Sequence, residues 1–297
     1  MIRKQLFFVS MLTLLIFACS SCGKSNKTRM DLNEYAFPSG KNKILFTEGK
    51  LDEYKGFKRR HLIYKNAAYT ATAYLLKPIN STAERAFIVH GGHGQSALEN
   101  WDVVRLILDE GHAVYAIGMP CSEAIPCLGS PHWRHEILYG FSELESPLGA
   151  LLAQTMAALN HSKSNDVTMT GISGGGWTTV VAAALDERIT RSIPVAGSLP
   201  LDQYEPGKPL GDAEQVDQRM LSICDYRCLY ALGASNGIQI QINNSHDPCC
   251  FAGNAPLLYE SDVQKHVTSN GIFKTVIDDN DEHSYGEKAL KYVQGRL

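Results

Sequence analysis

Charge of one sign is scarce in this 297-residue sequence: 28 lysines and arginines stand against 31 aspartates and glutamates, a formal net charge of -3. With no long basic run either, neither a nucleic-acid surface nor a strongly acidic partner is expected. Long apolar runs are missing as well. The stretch Leu6 to Ala18 holds about 13 residues, short of the ~20 that a bilayer-spanning helix takes. There is no internal repeat, so a solenoid or repeat array is not expected. Zinc frames are absent too: no C-x-x-C pair has matching partners. The clusters His132-Trp133-Arg134-His135-Glu136 and His246-Asp247-Pro248-Cys249-Cys250 lack the spacing of a known zinc site and read as helix-surface or loop packing. The partners left are small molecules or neutral polymers.

What is present suits one large domain, since 44 % hydrophobic content over this length can bury a single core. Residues 1–19 are set aside from it. Arg3 and Lys4 precede the apolar run and a cluster of small residues, which is the pattern of an export signal. Its end, Ile16-Phe17-Ala18-Cys19, resembles a bacterial lipoprotein signal. That implies a lipid anchor at Cys19 on the membrane of a bacterial cell envelope; cleavage near Ala18 or lipidation at Cys22 are the alternatives. Residues 20–50 then read as an N-terminal tether and 51–297 as the folded domain. Export places Cys121, Cys127, Cys224, Cys228, Cys249 and Cys250 in an oxidising compartment, where bridges are expected. The short loop from Cys121 to Cys127 is the most credible local one.

Along the domain, Phe57 to Tyr64 and Tyr69 to Leu76 alternate polar with apolar residues and predict an antiparallel pair. Ala86 to Val89 and Ala113 to Ile117 are continuous apolar runs, as strands covered on both faces should be. A helix is expected from Ala97 to Asp109. Another starts at Ser146-Pro147, with a cap residue followed by proline in the first turn. Asp166 to Thr170, Ile193 to Ala196, Ile238 to Ile242 and Ile272 to Ile277 are further strands, alternating with helices at Trp177 to Leu185, Ala255 to Thr268 and beyond Ser284. This alternation predicts an α/β fold, a mainly parallel doubly wound sheet with helices on both faces. Two segments without clear periodicity, about 120–145 and 200–236, are expected as insertions over one rim of the sheet. Their aromatic residues Trp133, Tyr139, Phe141 and Tyr204 either stack on a ligand or pack the roof.

Functional residues in such sheets collect in loops at the carboxyl ends of strands. His90-Gly91-Gly92-His93-Gly94 follows one predicted strand. Gly171-Ile172-Ser173-Gly174-Gly175, a G-x-S-x-G pattern, follows another, and Asp247 and His283 lie after two more. The glycines leave room for a tight strand-to-helix turn at Ser173. The alternative is a serine that merely caps the following helix. His90 reads as structural in its loop.

With serine, acid and histidine in that order, the chain resembles the α/β-hydrolases from about Phe57 onward. The three glycines and tryptophan after Ser173 are similar to exported bacterial esterases and to acetyl-xylan-esterase-like or prolyl-peptidase-like relatives. The resemblance implies a serine hydrolase that cleaves a carboxylic ester through an acyl-enzyme, deacylation of a carbohydrate being one form of it, with no metal or organic cofactor. Ser173 would be the nucleophile, His283 the base and Asp247 its orienting acid. The N–H of Gly174, with that of Gly92 or His93, would stabilise the oxyanion. Asp247 is preferred over Asp278, Asp279 and Asp281, which share the histidine's own loop. A helix from Leu221 to Leu232 is expected beside the acid loop, which would pair Cys224 or Cys228 with Cys249 or Cys250. The alternatives are a serine peptidase and a catalytically silent binding protein on the same fold.

Overall fold

The computed structural model describes residues 25–79, 85–122, 125–127, 135–204 and 211–295. Among these, one sheet contains β1 (Thr47–Tyr54), β2 (Phe57–Lys65), β3 (Thr70–Lys77), β4 (Ala86–His90), β5 (Ala113–Ile117), β6 (Val167–Ile172), β7 (Ile189–Val195), β8 (Ile238–Asn244) and β9 (Ile272–Asp278). Their order in space is β1-β2-β3-β5-β4-β6-β7-β8-β9. The expected hairpin β2–β3 is antiparallel, as are its junctions with β1 and β5, and every pair from β5 through β4 to β9 is parallel.

The helices are α1 (Ser25–Ala36), α2 (Trp101–Asp109), α3 (Pro147–Ser162), α4 (Gly174–Leu185), α5 (Gln218–Ile223), α6 (Tyr226–Ala234), α7 (Pro256–Gln264) and α8 (Glu287–Val293). Continuous apolar strands have two faces to cover, and both are covered. Phe87 and Val89 of β4 pack with α2 and α8, whereas Ile88 between them joins the core beneath α3, α4 and α6. Ser146 caps α3 as its sequence suggests, its Oγ accepting from the Gly149 N–H at 3.3 Å, with Pro147 in the first turn.

The segment expected as a polar tether is partly folded onto the domain. In α1, Leu32 is fully buried and Tyr35 nearly so. Arg29 donates to Leu232 O at 3.1 Å and to Asn236 Oδ1 at 2.8 Å, and the Tyr35 hydroxyl donates to Asp217 Oδ2 at 2.6 Å. Asn33 and Lys41 both donate to the carbonyl of Leu185, the last residue of α4, and Lys41 also pairs with Asp186 at 2.9 Å. Two donors, one of them a cation, therefore complete the carbonyl end of that helix, where its dipole is negative. The sequence signal was weak because the apolar positions of α1 are few among charged and polar neighbours.

The span 200–236 is not all roof. The single helix expected from Leu221 to Leu232 is two, divided where Asp225 caps α6 through the Cys228 N–H at 2.9 Å, and α6 is the crossover from β7 to β8, packed on α4. The bridges follow this geometry. Cys121 pairs with Cys127, as the short loop suggests, but Cys224 pairs with Cys228 across the α5–α6 corner and Cys249 with its neighbour Cys250. The expected link between the two latter regions is replaced by two local ones, because α6 lies against the sheet and not over the acid loop. The described part of 120–145 includes a 3₁₀ turn, His135–Gly140, in which Tyr139 donates to Asp217 Oδ2 at 2.9 Å. Cys19, Cys22, His132 and Trp133 lie outside the described residues.

Two outcomes follow from this packing. Leu32→Ala should lower the free energy of unfolding by about 2–5 kcal/mol in urea titrations, the usual cost of emptying a buried leucine site, whereas a tether would give no change. Peptide mapping without reduction should recover the bridges 121–127, 224–228 and 249–250, each within one short segment; a peptide joining 224 or 228 to 249 or 250 would contradict the fold.

Candidate active site

Parallel strands in level register bring their following loops to one rim. His90 is paired with Gly171, Ile172 with Val195, and Asn244 with Asp278, so the loops carrying His93, Ser173, Asp247 and His283 start side by side. Ser173 sits between β6 and α4 at φ 57° and ψ -123°, a region disfavoured for a residue with a Cβ. Its N–H donates to Val195 O at 2.9 Å and its carbonyl accepts from the Trp177 N–H at 2.9 Å, which pins the turn at both ends. A Cβ on Gly171 would collide with the Gly175 carbonyl, so the turn closes only with glycine there. The Ser173 side chain makes no capping hydrogen bond. The helix-cap alternative thus lacks the contact that defines it.

Asp247 and His283 meet directly. His283 Nδ1 lies 2.8 Å from Asp247 Oδ2, and Asp247 Oδ1 accepts from the N–H groups of Cys249 and Cys250 at 2.8 and 3.0 Å. The carboxylate is fully buried. Burial alone would raise its pKa, but the hydrogen bonds from His283 and from the backbone of Cys250 and Cys249 outweigh it and hold the group below the ordinary carboxylate range. The three acids on the histidine's own loop are elsewhere: Asp278 accepts from the Ala289 N–H at 2.9 Å, Asp279 meets Ser245 at 3.4 Å, and Asp281 is exposed. The other imidazole nitrogen, His283 Nε2, is buried and has no hydrogen-bond partner among the described residues. Two residues on, the Tyr285 hydroxyl lies 3.3 Å from Thr170 Oγ1, which ties the histidine loop to β6, the strand that leads into Ser173.

Gly92 packs against Ser173, close enough that a Cβ on it would lie 2.9 Å from the serine Cβ. Its N–H, one of the expected oxyanion donors, is instead given to Gln95 Oε1 at 2.8 Å. This leaves Gly174, at the first position of α4, and His93 as the donors to consider. His90 is fully buried with Nδ1 2.7 Å from Gly91 O, and burial pushes its pKa down to about 4, in keeping with a structural role.

No protein-family model and no curated protein matches the sequence. Solved structures do match. Acetyl xylan esterase 1 from Thermoanaerobacterium sp. superposes with a TM-score of 0.61 at 14 % identity, over 92 % of this chain and 93 % of its own. An S-formylglutathione hydrolase from Agrobacterium tumefaciens gives 0.58 at 14 % identity, over 84 % and 97 %. The acylaminoacyl peptidase of Pyrococcus horikoshii gives 0.54 at 15 % identity, over 81 % of this chain and 40 % of that one. The chain has the α/β-hydrolase fold.

Within this fold, two positioning residues carried no signal in the sequence. Asn244, at the end of β8, donates to the carbonyls of Glu282 at 2.9 Å and Ser284 at 3.0 Å, on either side of His283. Gln95 holds the Gly92 loop and accepts from Asn100 at 3.0 Å. Each is an ordinary polar residue until the loops meet. Two groups among the described residues bring three possible metal ligands together: Cys249, Cys250 and His283, and His93, His135 and Glu214. In the first the cysteines are bridged, so no thiolate is offered. In the second, His93 Nε2 and His135 Nδ1 lie 3.1 and 2.7 Å from the two oxygens of Glu214. Burial would raise the Glu214 carboxyl, but its bonds to His135 and His93 prevail and bring it to about 2.

Replacing Asn244 with Ala should release the histidine loop from β8. The expected result is a 10- to 100-fold fall in kcat with KM nearly unchanged, on the order of an outer positioning contact. Asn244→Asp, which cannot donate, should be no better than Ala. A fall confined to KM would contradict the positioning role.

Proposed function

We propose that the protein is a serine hydrolase that cleaves carboxylic esters. The observation that supports this most is a His283 imidazole bound through Nδ1 to buried Asp247, on a loop at the same rim of the sheet as a strained, uncapped Ser173. Nδ1 held by a carboxylate fixes the tautomer in which Nε2 carries the lone pair, and that nitrogen is unpartnered. In the reaction, Nε2 takes the hydroxyl proton as Ser173 Oγ attacks the ester carbonyl, and Asp247 stabilises the imidazolium. The carbonyl oxygen gains negative charge and is met by the Gly174 N–H at the positive end of α4, with His93 as the second backbone donor in preference to Gly92. The imidazolium then protonates the leaving alcohol. Water, activated by the same Nε2, attacks the acyl-serine and releases the acid.

An acetylated carbohydrate is the substrate class that the likeness to acetyl xylan esterases favours. Tyr139, 41 % exposed on the 3₁₀ turn, is an aromatic surface available for a sugar ring, whereas Tyr204 packs edge-on against Phe251. The bridges within the domain fit an exported protein in an oxidising envelope compartment, anchored through Cys19. No helix among the described residues is long and apolar enough to cross a membrane.

Ser173→Ala should lower kcat on an acetyl ester by roughly 10⁶-fold and abolish labelling by a fluorophosphonate, with the melting temperature kept. Asp247→Asn should cost roughly 10⁴-fold, while Asn at 278, 279 or 281 should leave the rate of the folded enzyme within a few-fold. A Ser173→Ala enzyme that retained its rate would refute the nucleophile. An aminoacyl anilide assayed beside acetyl esters and acetylated xylan decides between ester and amide hydrolysis.

A further inference from the structure

Beside Ser173, side chains from three separate loops converge on one point. His93 follows β4, His135 lies in the 3₁₀ turn after β5, and Asp212 and Glu214 precede α5. The His93 ring is packed on the first residue of the serine's helix: a Cβ on Gly174 would lie 2.7 Å from His93 Cε1. His93 Nε2 is 3.4 Å from His135 Nδ1, 3.1 Å from Glu214 Oε1 and 3.3 Å from Asp212 Oδ2, and His135 Nδ1 is 2.7 Å from Glu214 Oε2. The His135 and Glu214 side chains are 1 % and 0 % exposed.

Proton counting makes this cluster unusual. His93 Nε2 can carry one hydrogen, yet three polar atoms are within reach of it. His135 faces an acceptor on each side, Glu214 at Nδ1 and the Pro120 carbonyl at Nε2, 3.0 Å away. Both ring nitrogens of this nearly inaccessible histidine thus face oxygens, and a neutral ring carries only one hydrogen. A metal ion removes the conflict: Nδ1 then ligates, and Nε2–H to a backbone carbonyl is the outer contact that orients metal-bound histidines. Ligand atoms ~2.0–2.2 Å from a tetrahedral zinc are ~3.3 Å from one another. The separations here are 2.7 to 3.4 Å.

We propose that His93 Nε2, His135 Nδ1 and Glu214 form a divalent metal site of the zinc class, with the Asp212 carboxylate bordering the fourth position. Two neutral imidazoles and a carboxylate are borderline donors that suit zinc over calcium or magnesium, which take oxygen ligands. The ion ties the loop behind β4 to the excursion after β5 and to the segment before α5, and so fixes the backbone at His93 next to the reacting serine. The expectation of no metal came with the hydrolase resemblance and from local spacing, and these ligands come from positions far apart along the chain. The site does not depend on the ester reading.

The test uses the full chain, stripped with a chelator and titrated with Zn²⁺ against a chromophoric competitor. One equivalent should bind with submicromolar affinity and raise the melting temperature. Co²⁺ in its place should give the intense visible bands of a four-coordinate ion. Glu214→Gln and His135→Gln should each lose the binding. Because both are buried, Asp212→Asn and His93→Gln are made as well: the half-exposed Asp212→Asn should weaken binding at least several-fold, and His93→Gln should weaken it 100-fold or more, in folded protein. Fluorophosphonate labelling of Ser173 in the stripped protein separates this result from the hydrolase reading, since labelling without zinc binding refutes only the site. Less than a tenth of an equivalent bound, with no thermal shift in a folded chain, would show a metal-free ion cluster and overturn the proposal.

Discussion

Everything at this rim depends on a left-handed backbone at Ser173 that the residue itself disfavours. Such a conformation costs of order 1–3 kcal/mol and persists only where its surroundings over-determine it. Here the N–H is fixed to β7, the carbonyl is fixed inside α4, and the glycines on both sides admit the close approach of backbone to backbone. The far end of α4 is held too. Asn33 and Lys41 satisfy its last carbonyl, and Asp186 just beyond it remains ionised, brought to about 2 against its own burial by Arg188 and Lys41. The N-terminal segment therefore supports the helix whose other end presents the serine.

The acid and histidine loops show the same logic in electrostatic form. A buried carboxylate is costly unless hydrogen bonds replace the lost water. Asp247 gains four, two from consecutive backbone N–H groups on the loop that carries the Cys249–Cys250 bridge, one from His283 and a longer one from Asn244 Nδ2 at 3.4 Å. The imidazole and the Asn244 amide share the other carboxylate oxygen, the imidazole being the closer of the two. Asn244 then binds the backbone before and after His283, so the end of β8 holds the histidine loop.

Much of this was legible from residues alone. Apolar runs such as Ala86 to Val89 mark strands buried on both faces, Ser146-Pro147 marks a helix start, and G-x-S-x-G between a strand and a helix marks Ser173. The choice of Asp247 rested on where its strand must lie, and the 2.8 Å contact with His283 has that geometry. These signals share one property: each is local, or depends only on the order of strands in a parallel sheet.

What local pattern cannot carry is the pairing of groups distant along the chain. α1 reads as tether because its burial against α3, α4 and α5 is supplied by those helices and not by its own weak amphipathicity. Gly92 reads as an oxyanion donor until the Gln95 side chain folds back onto its N–H. Cysteine spacing leaves the bridges at 224–228 and 249–250 undecided, because the position of α6 determines which thiols can meet. His93, His135 and Glu214 are three unrelated side chains in the sequence. The sequence by itself determined the order of strands and helices and the residue types at the strand ends, since periodicity and turn chemistry act over a few residues. The tertiary structure alone decided which polar atoms face one another, because hydrogen-bond reach is about 3 Å and only packed loops bring distant atoms that close.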